Sequence, residues 1–155
     1  MLDDGSDDLL EPRHVEVLVT RDAISRFAAA AGITAATHHD IAAARLAGFS
    51  DLVAPPYFFV SLGLTMSRIL TRRELSDGGI PNDDPLAAKK VMAGETTVRW
   101  FGDIVAGDII TVTQTFIGSV AKAGRSGPFE IYTFRRDYSR GGEVVVRETY
   151  SRVVR

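Results

Sequence analysis

Only one stretch of this chain concentrates groups that can move protons near neutral pH: T-H-H-D, residues 37 to 40. An imidazole titrates close to physiological pH, so His38 or His39 could serve as a general base, and a neighbouring carboxylate would orient it. The nearest carboxylate, Asp40, stands directly before an Ala-rich run and reads as a helix N-cap, a role that occupies its oxygens. His38 and His39 are sequence neighbours whose side chains diverge on an extended loop, so His39 is a poor stand-in for the missing partner. The third histidine, His14, falls next to a strand start and reads as a surface residue. Asp103 and Asp108 flank Gly107 and are turn formers first. No His/Asp cluster has metal-ligand spacing, and there is neither a Gly-rich phosphate cradle nor a nucleophile elbow.

The elements that must hold this loop can be read around it. His14–Thr20 places Val15, Val17 and Val19 on one face, the period of a half-buried strand. A helix follows, capped by Thr20 or Asp22 and closed by Gly32, with Ala23, Ile24, Phe27, Ala28 and Ala31 at helical spacing. Gly32 to His39 is a loop; Asp40 then starts a short helix that Gly48 ends. Ala54-Pro55-Pro56 forces an extended approach, after which Tyr57 to Arg73 is an apolar helix on most of its circumference, through Phe58, Phe59, Val60, Leu62, Leu64, Met66, Ile69 and Leu70. Such a helix must be wrapped by other structure. Leu75 to Lys90 is a long irregular connection. Strand patterns follow at Glu95 to Phe101, Asp108 to Val120, Phe129 to Tyr138 and Glu143 to Val154, separated by Gly-containing turns that suit antiparallel neighbours. From pattern alone the class is α+β with an antiparallel sheet.

Size and composition narrow the function classes. At 155 residues without cysteine the chain suits one domain, residues 13 to 155, behind an acidic and disordered tail, residues 1 to 12. The lack of cysteine removes disulfides, thiolate metal sites and a cysteine nucleophile, and it suits a cytoplasmic setting. The longest apolar stretch is shorter than a bilayer span and carries Ser61, Thr65, Ser67 and Arg68, so no membrane association is expected. A net charge of −2 with dispersed basic residues leaves no footprint for nucleic acid.

The stretch F-A-A-A-A-G-I-T-A-A-T-H-H-D-I-A-A-A-R-L-A-G-F-S-D-L-V-A-P-P, residues 27 to 56, resembles the substrate-site segment of the MaoC-like (R)-specific enoyl-thioester hydratases and 3-hydroxyacyl-thioester dehydratases. That segment usually reads G-D-x-N-P-hydrophobic-H-x-D, then a short helix, then a hydrophobic-A-H-G turn. V-R-W-F-G-D-I-V-A-G-D-I-I-T-V, residues 98 to 112, is similar to the family's A/V-G-D corner. The L-V-A-P-P form points more narrowly to the FAS1-like dehydratase domains and the mycobacterial-type dehydratase subunits. The resemblance implies a hotdog fold, in which a curled antiparallel sheet wraps a long central helix and a short helical overhang precedes it.

Laid on this frame residue by residue, the catalytic Asp position is Ile33, the Asn position Ala35, and the His position His38. The glycine of the later turn falls on Pro56, which has no N–H to donate to a thioester oxygen; Tyr57 N–H is the nearest alternative. Loss of one such oxyanion donor costs about 10² to 10³ in rate. The family's substrates are acyl thioesters of acyl carrier protein or coenzyme A, with no metal or separate cofactor, and Ala54, Pro56, Tyr57 and His39 map onto the substrate side. The resemblance therefore implies a subunit that pairs with a catalytic MaoC-like hotdog chain as a heterodimer or heterotetramer and shapes its tunnel. Two other readings stay open: a homodimer that binds an acyl thioester or small molecule without turnover, and a hotdog thioesterase. The thioesterase is disfavoured because Tyr57 to Leu70 contains no carboxylate. The physical motive for pairing is an unpaired strand edge, for which the long strand Asp108 to Val120 is a candidate.

Overall fold

A computed structural model describes residues 12 to 65, 72 to 74 and 89 to 155. The expected acidic tail, the second half of the expected apolar helix and most of the connection before Lys90 lie outside the described residues. Within them the order is β1 (Arg13–Leu18), α1 (Arg21–Ala30), α2 (Ile41–Leu46), α3 (Phe59–Leu64), β2 (Val91–Trp100), β3 (Ile109–Gly124), β4 (Gly127–Arg140) and β5 (Glu143–Val154), with single 3-10 turns at Ala36–His38, Pro56–Phe58 and Arg72–Glu74.

Helix boundaries follow local chemistry. Thr20 caps α1, its hydroxyl accepting from Ala23 N–H at 3.1 Å. At the other end Gly32 takes φ +69, Gly32 N–H donates to Ala29 O, and Ile33 N–H reaches back to Ala28 O at 2.8 Å. That bond pair is a Schellman ending, in which a residue able to adopt the left-handed region is needed after the cap. Asp40 caps α2 by accepting from Ala42 N–H at 2.7 Å. The same ending recurs at Gly48 (φ +97), where Phe49 N–H donates to Ala44 O.

The sheet is antiparallel throughout, in the order β1-β3-β4-β5-β2. Its edges are β1 and β2, so the strand at 108 to 120 is interior where β1 covers it, from Ile109 to Gln114; beyond that only β4 pairs with it. Strand pairing puts Val15, Val112, Tyr138, Val146 and Trp100 in one row across the face that meets the helices. Phe58, Phe59 and Leu62 pack onto this face and are buried with Ile24, Ile110 and Val112. Phe59 meets the Tyr138 ring edge-on at 5.2 Å, and Phe27 meets Phe58 the same way at 5.6 Å, arrangements that the ring quadrupoles favour.

Helix α3 departs from the expectation of an apolar rod enclosed on all sides. Its inner face is buried, but Val60 is 41% and Leu64 66% exposed, and Tyr57 just before it is 60% exposed. Among the described residues the sheet covers one side of the helix, and its apolar outer face is exposed.

Candidate functional site

The strip Leu52–Ala54 holds the site together. On one edge it pairs with the β2–β3 corner: Ala54 N–H donates to Ile104 O at 2.8 Å and Ala106 N–H to Leu52 O at 2.9 Å, around an isolated bridge between Val53 and Val105. On its other edge Val53 N–H donates to Thr37 O at 3.2 Å, and the Val53 carbonyl lies 2.7 Å from His38 Nδ1. A carbonyl can only accept, so Nδ1 carries a proton, and in the neutral ring the lone pair is then on Nε2. The His38 carbonyl in turn accepts from Ser25 Oγ at 3.0 Å. His38 is thus a fixed, half-buried imidazole with one nitrogen able to act as base or acceptor.

His39 faces elsewhere, with Nε2 3.0 Å from Ile33 O. The 3-10 turn at Ala36–His38 separates the two rings as the sequence predicts, although the local backbone is a turn where an extended loop is expected. Asp40 is the helix cap. Ile33 occupies the position after Gly32 in the Schellman ending, where an apolar side chain commonly folds back on the helix. Ile33, which the resemblance sets at the carboxylate position, is therefore part of a helix terminus. Asp108 is structural too: its Oδ2 accepts from Val105 N–H at 2.9 Å and from Arg140 at 2.8 Å.

Beside the strip lies a cavity of about 430 Å³, lined by Ala54, Pro55, Pro56, Trp100, Asp103 and Ile104 among others. Trp100 Nε1 donates to Pro56 O at 2.9 Å, and Tyr57 packs edge-on against Trp100 at 5.6 Å. Ala54 and Pro56 therefore face this cavity and Tyr57 stands next to it. His38 and His39 are not among its walls; His38 is hydrogen-bonded to the opposite edge of the strip. The expected site residues split into a pocket-lining group and a histidine behind the wall.

A second group of polar side chains lies on the sheet face itself. Next to the apolar row, strand pairing aligns Gln114, Arg136, Glu148 and Val98 on the same sheet face. Arg136 donates through Nε and Nη2 to Gln114 Oε1 at 3.0 and 2.7 Å and through Nη2 to Tyr150 Oη at 3.0 Å. Its Nη1 lies 3.5 Å from Glu148 Oε2, which also accepts from Tyr138 Oη at 3.2 Å. Burial first, and then the Glu148 charge, push the Tyr138 phenol well above its ordinary value. Burial likewise raises Tyr150, against the pull of Arg136 and Arg152. Both hydroxyls stay protonated donors. The available signal was the alternation Tyr132, Phe134, Arg136, Tyr138, which sets an arginine on an aromatic inward face.

Among the described residues no group of three or more His, Asp or Glu side chains could hold a metal ion, and no helix is long and apolar enough to cross a membrane.

The chain matches the family model described as the FAS1-like dehydratase domain region over residues 11–148. It is 36% identical over 114 residues to a UPF0336 protein of Clavibacter michiganensis, covering 73% of this chain and 70% of that one. It is 32% identical over 141 residues to a UPF0336 protein of Parafrankia, covering 88% and 83%. Its fold superposes on a MaoC-like dehydratase from Rhodospirillum rubrum with TM-score 0.66 at 25% identity, covering 94% of this chain and 91% of that one. It also superposes on the ChsH1-ChsH2 complex of Mycobacterium tuberculosis with TM-score 0.67 at 22% identity, covering 92% and 82%. The third is the HadBC (3R-hydroxyacyl-ACP dehydratase) complex of the same organism, with TM-score 0.65 at 15% identity, covering 94% and 97%. These neighbours carry the expected hotdog fold. With the family model spanning nearly all of its length, the chain belongs to the FAS1-like dehydratase domain region family.

Proposed function

We propose that this chain is the tunnel-shaping, non-catalytic subunit of a heteromeric (R)-3-hydroxyacyl-thioester dehydratase or enoyl-thioester hydratase, paired with a hotdog chain that supplies the catalytic Asp and His. The reaction removes a C2 proton and expels the C3 hydroxyl as water, or runs in reverse. It needs a base, an acid, and donors for the charge that develops on the thioester oxygen.

The observation that carries this reading is the occupant of the carboxylate position. Ile33 is fixed there by the Schellman ending of α1, so no carboxylate accompanies His38 on its loop. Ala35 and Pro56 remove the amide and the backbone donor at the other two positions. What remains is an oriented imidazole whose Nε2 can accept a hydrogen bond, beside a wall formed by Ala54 and Pro56 with Tyr57 at its margin. His39, bonded to Ile33 O of its own loop, lies outside that wall.

Two further facts support a partner. The neighbours include two-protein assemblies, ChsH1-ChsH2 and HadBC. The outer face of α3 exposes Tyr57, Val60 and Leu64, and β2 is an edge strand among the described residues.

The test is made in the assembled pair, this chain co-purified with an intact MaoC-like chain. His38→Ala here is expected to lower kcat by less than about tenfold, whereas replacing the partner's catalytic Asp by Asn should lower it by about 10² or more. The reverse ranking contradicts the proposal.

A further inference from the structure

Basic residues that stand apart in the sequence meet on the side of the sheet turned away from the helices. Val98, Glu148, Arg136 and Gln114 lie on the helix-facing side, so strand alternation turns their neighbours the other way. Two adjacent rows result. One holds Arg99, Arg147, Asp137, Thr113 and His14; the next holds Thr97, Thr149, Arg135 and Thr115. Three guanidinium-bearing residues therefore surround Thr149. Arg147 stands two residues along its own strand, Arg135 directly across on β4, and Arg99 on the diagonal on β2, a separation that long side chains span. Arg99 and Arg147 are themselves direct cross-strand partners, and like charges so placed repel.

One carboxylate answers these three cations. Asp137 accepts from Arg147 Nε at 2.6 Å and from Nη2 at 3.1 Å, the two-pronged geometry of a strong pair. Arg135 Nε lies 3.3 Å from Asp137 Oδ2, yet it is buried without a hydrogen-bond partner, so the carboxylate satisfies one arginine and leaves the other short. Arg99 is exposed and has neither a hydrogen bond nor an ion pair among the described residues. Its donors, Arg147 Nη1 and the two Nη groups of Arg135 are all unengaged there. Glu16 and Glu95, on the two edge strands, take part in no ion pair among the described residues either. Three positive charges against one leave the cluster doubly positive, on a chain whose net charge is −2.

Arginines on an open face are ordinarily left to water and contribute little. Here the opposed Arg99 and Arg147 lack an acid between them, and an anion over Thr149 would relieve their repulsion. A monocarboxylate would balance half of the excess charge. A phosphate dianion balances all of it, and its oxygens can take charge-assisted bonds from several guanidinium groups at once.

We propose that the Arg99, Arg135 and Arg147 cluster, centred on Thr149, binds a phosphate group carried by inorganic phosphate or by a phosphate monoester of a small organic molecule. None of these residues lines the cavity beside Leu52–Ala54, and the proposal does not rest on the dehydratase reading.

The experiment combines thermal melts with calorimetric titration of the full chain at matched ionic strength and about pH 7.5, where phosphate is largely dianionic. The probes are inorganic phosphate, glycerol 2-phosphate, acetate and sodium chloride. Phosphate is expected to raise the melting temperature more than acetate or chloride does, as a ligand of the folded state must. Arg99→Gln should weaken phosphate binding about tenfold or more, the loss of a charge-assisted contact. Arg135→Gln is the companion variant, and the exposed Arg99 keeps the test decisive if Arg135, with its buried Nε, proves necessary for folding. Tighter binding of glycerol 2-phosphate than of inorganic phosphate assigns the site to an organic monoester; equal or weaker binding assigns it to the free ion. A phosphate effect no larger than that of acetate or chloride, or one unchanged by Arg99→Gln, would overturn the proposal.

Discussion

A methyl group on Gly63 would sit 2.7 Å from Tyr138 Oη and 2.9 Å from Arg136 Nη1, both members of a hydrogen-bonded layer with little room to yield. Gly63→Ala should therefore destabilise the fold by about 1 to 3 kcal/mol, the usual range for overpacking, despite the better helix propensity of alanine. Denaturant unfolding checks it; an unchanged or raised midpoint would show that the layer can shift. The requirement was hidden in the sequence, where Gly63 is one small residue in an apolar run. Only the sheet register shows that the partner of that position is polar. His38 is the opposite case. Its residue type and its setting in T-H-H-D mark it from sequence, but its hydrogen-bond partner Val53 is 15 positions away, and no local pattern reports which ring nitrogen is engaged.

Between elements, the overhang that carries His38 is clipped shut by a two-pronged contact. Arg21 at the start of α1 donates through Nε and Nη2 to the two carboxylate oxygens of Asp51 at 2.9 and 2.7 Å. Those bonds first, and the Leu52 N–H second, hold the Asp51 carboxyl at about 2. The folded value lies below the unfolded one, near 3.9. The clip thus contributes its full stabilisation above that value, and the contribution is lost as pH falls from about 4 through about 2. Asp51→Asn should be less stable than the parent at neutral pH and should lose less stability between roughly pH 5 and 2; parallel curves from thermal melts would refute the role. The elements themselves were largely legible. Thr20, Asp40, Gly32 and Gly48 announce helix ends through chemistry confined to a few residues, and the four later strands follow from alternation. The apolar helix was legible only in part, because hydrophobicity records that a face is covered without recording by what. Val60 and Leu64 read as core and are exposed in the single chain.

At the scale of the molecule, the sheet order β1-β3-β4-β5-β2 leaves β2 as an edge, and the outer face of α3 is apolar. An exposed edge and an apolar patch together are the usual marks of an association surface. Leu64→Glu on that face is expected to abolish co-purification with the catalytic hotdog chain while leaving the isolated chain folded, as judged by circular dichroism; retention of the complex would place the interface elsewhere. Sheet order and the interior position of β3 were not legible, since both depend on pairings between residues far apart in the chain. The family was, because the G-x-x-x-x-x-H-x-D frame and the A-G-D corner are both present in the sequence.

That combination makes one measurement decisive: crotonyl-thioester hydration by this chain alone, by an intact MaoC-like chain alone, and by the two co-purified. The loss of the carboxylate and of a backbone donor predicts a rate for the isolated chain at least about 10² below that of the pair, with the pair exceeding either chain. Full activity from this chain alone, abolished by His38→Ala, would contradict the account and make His38 the catalytic base.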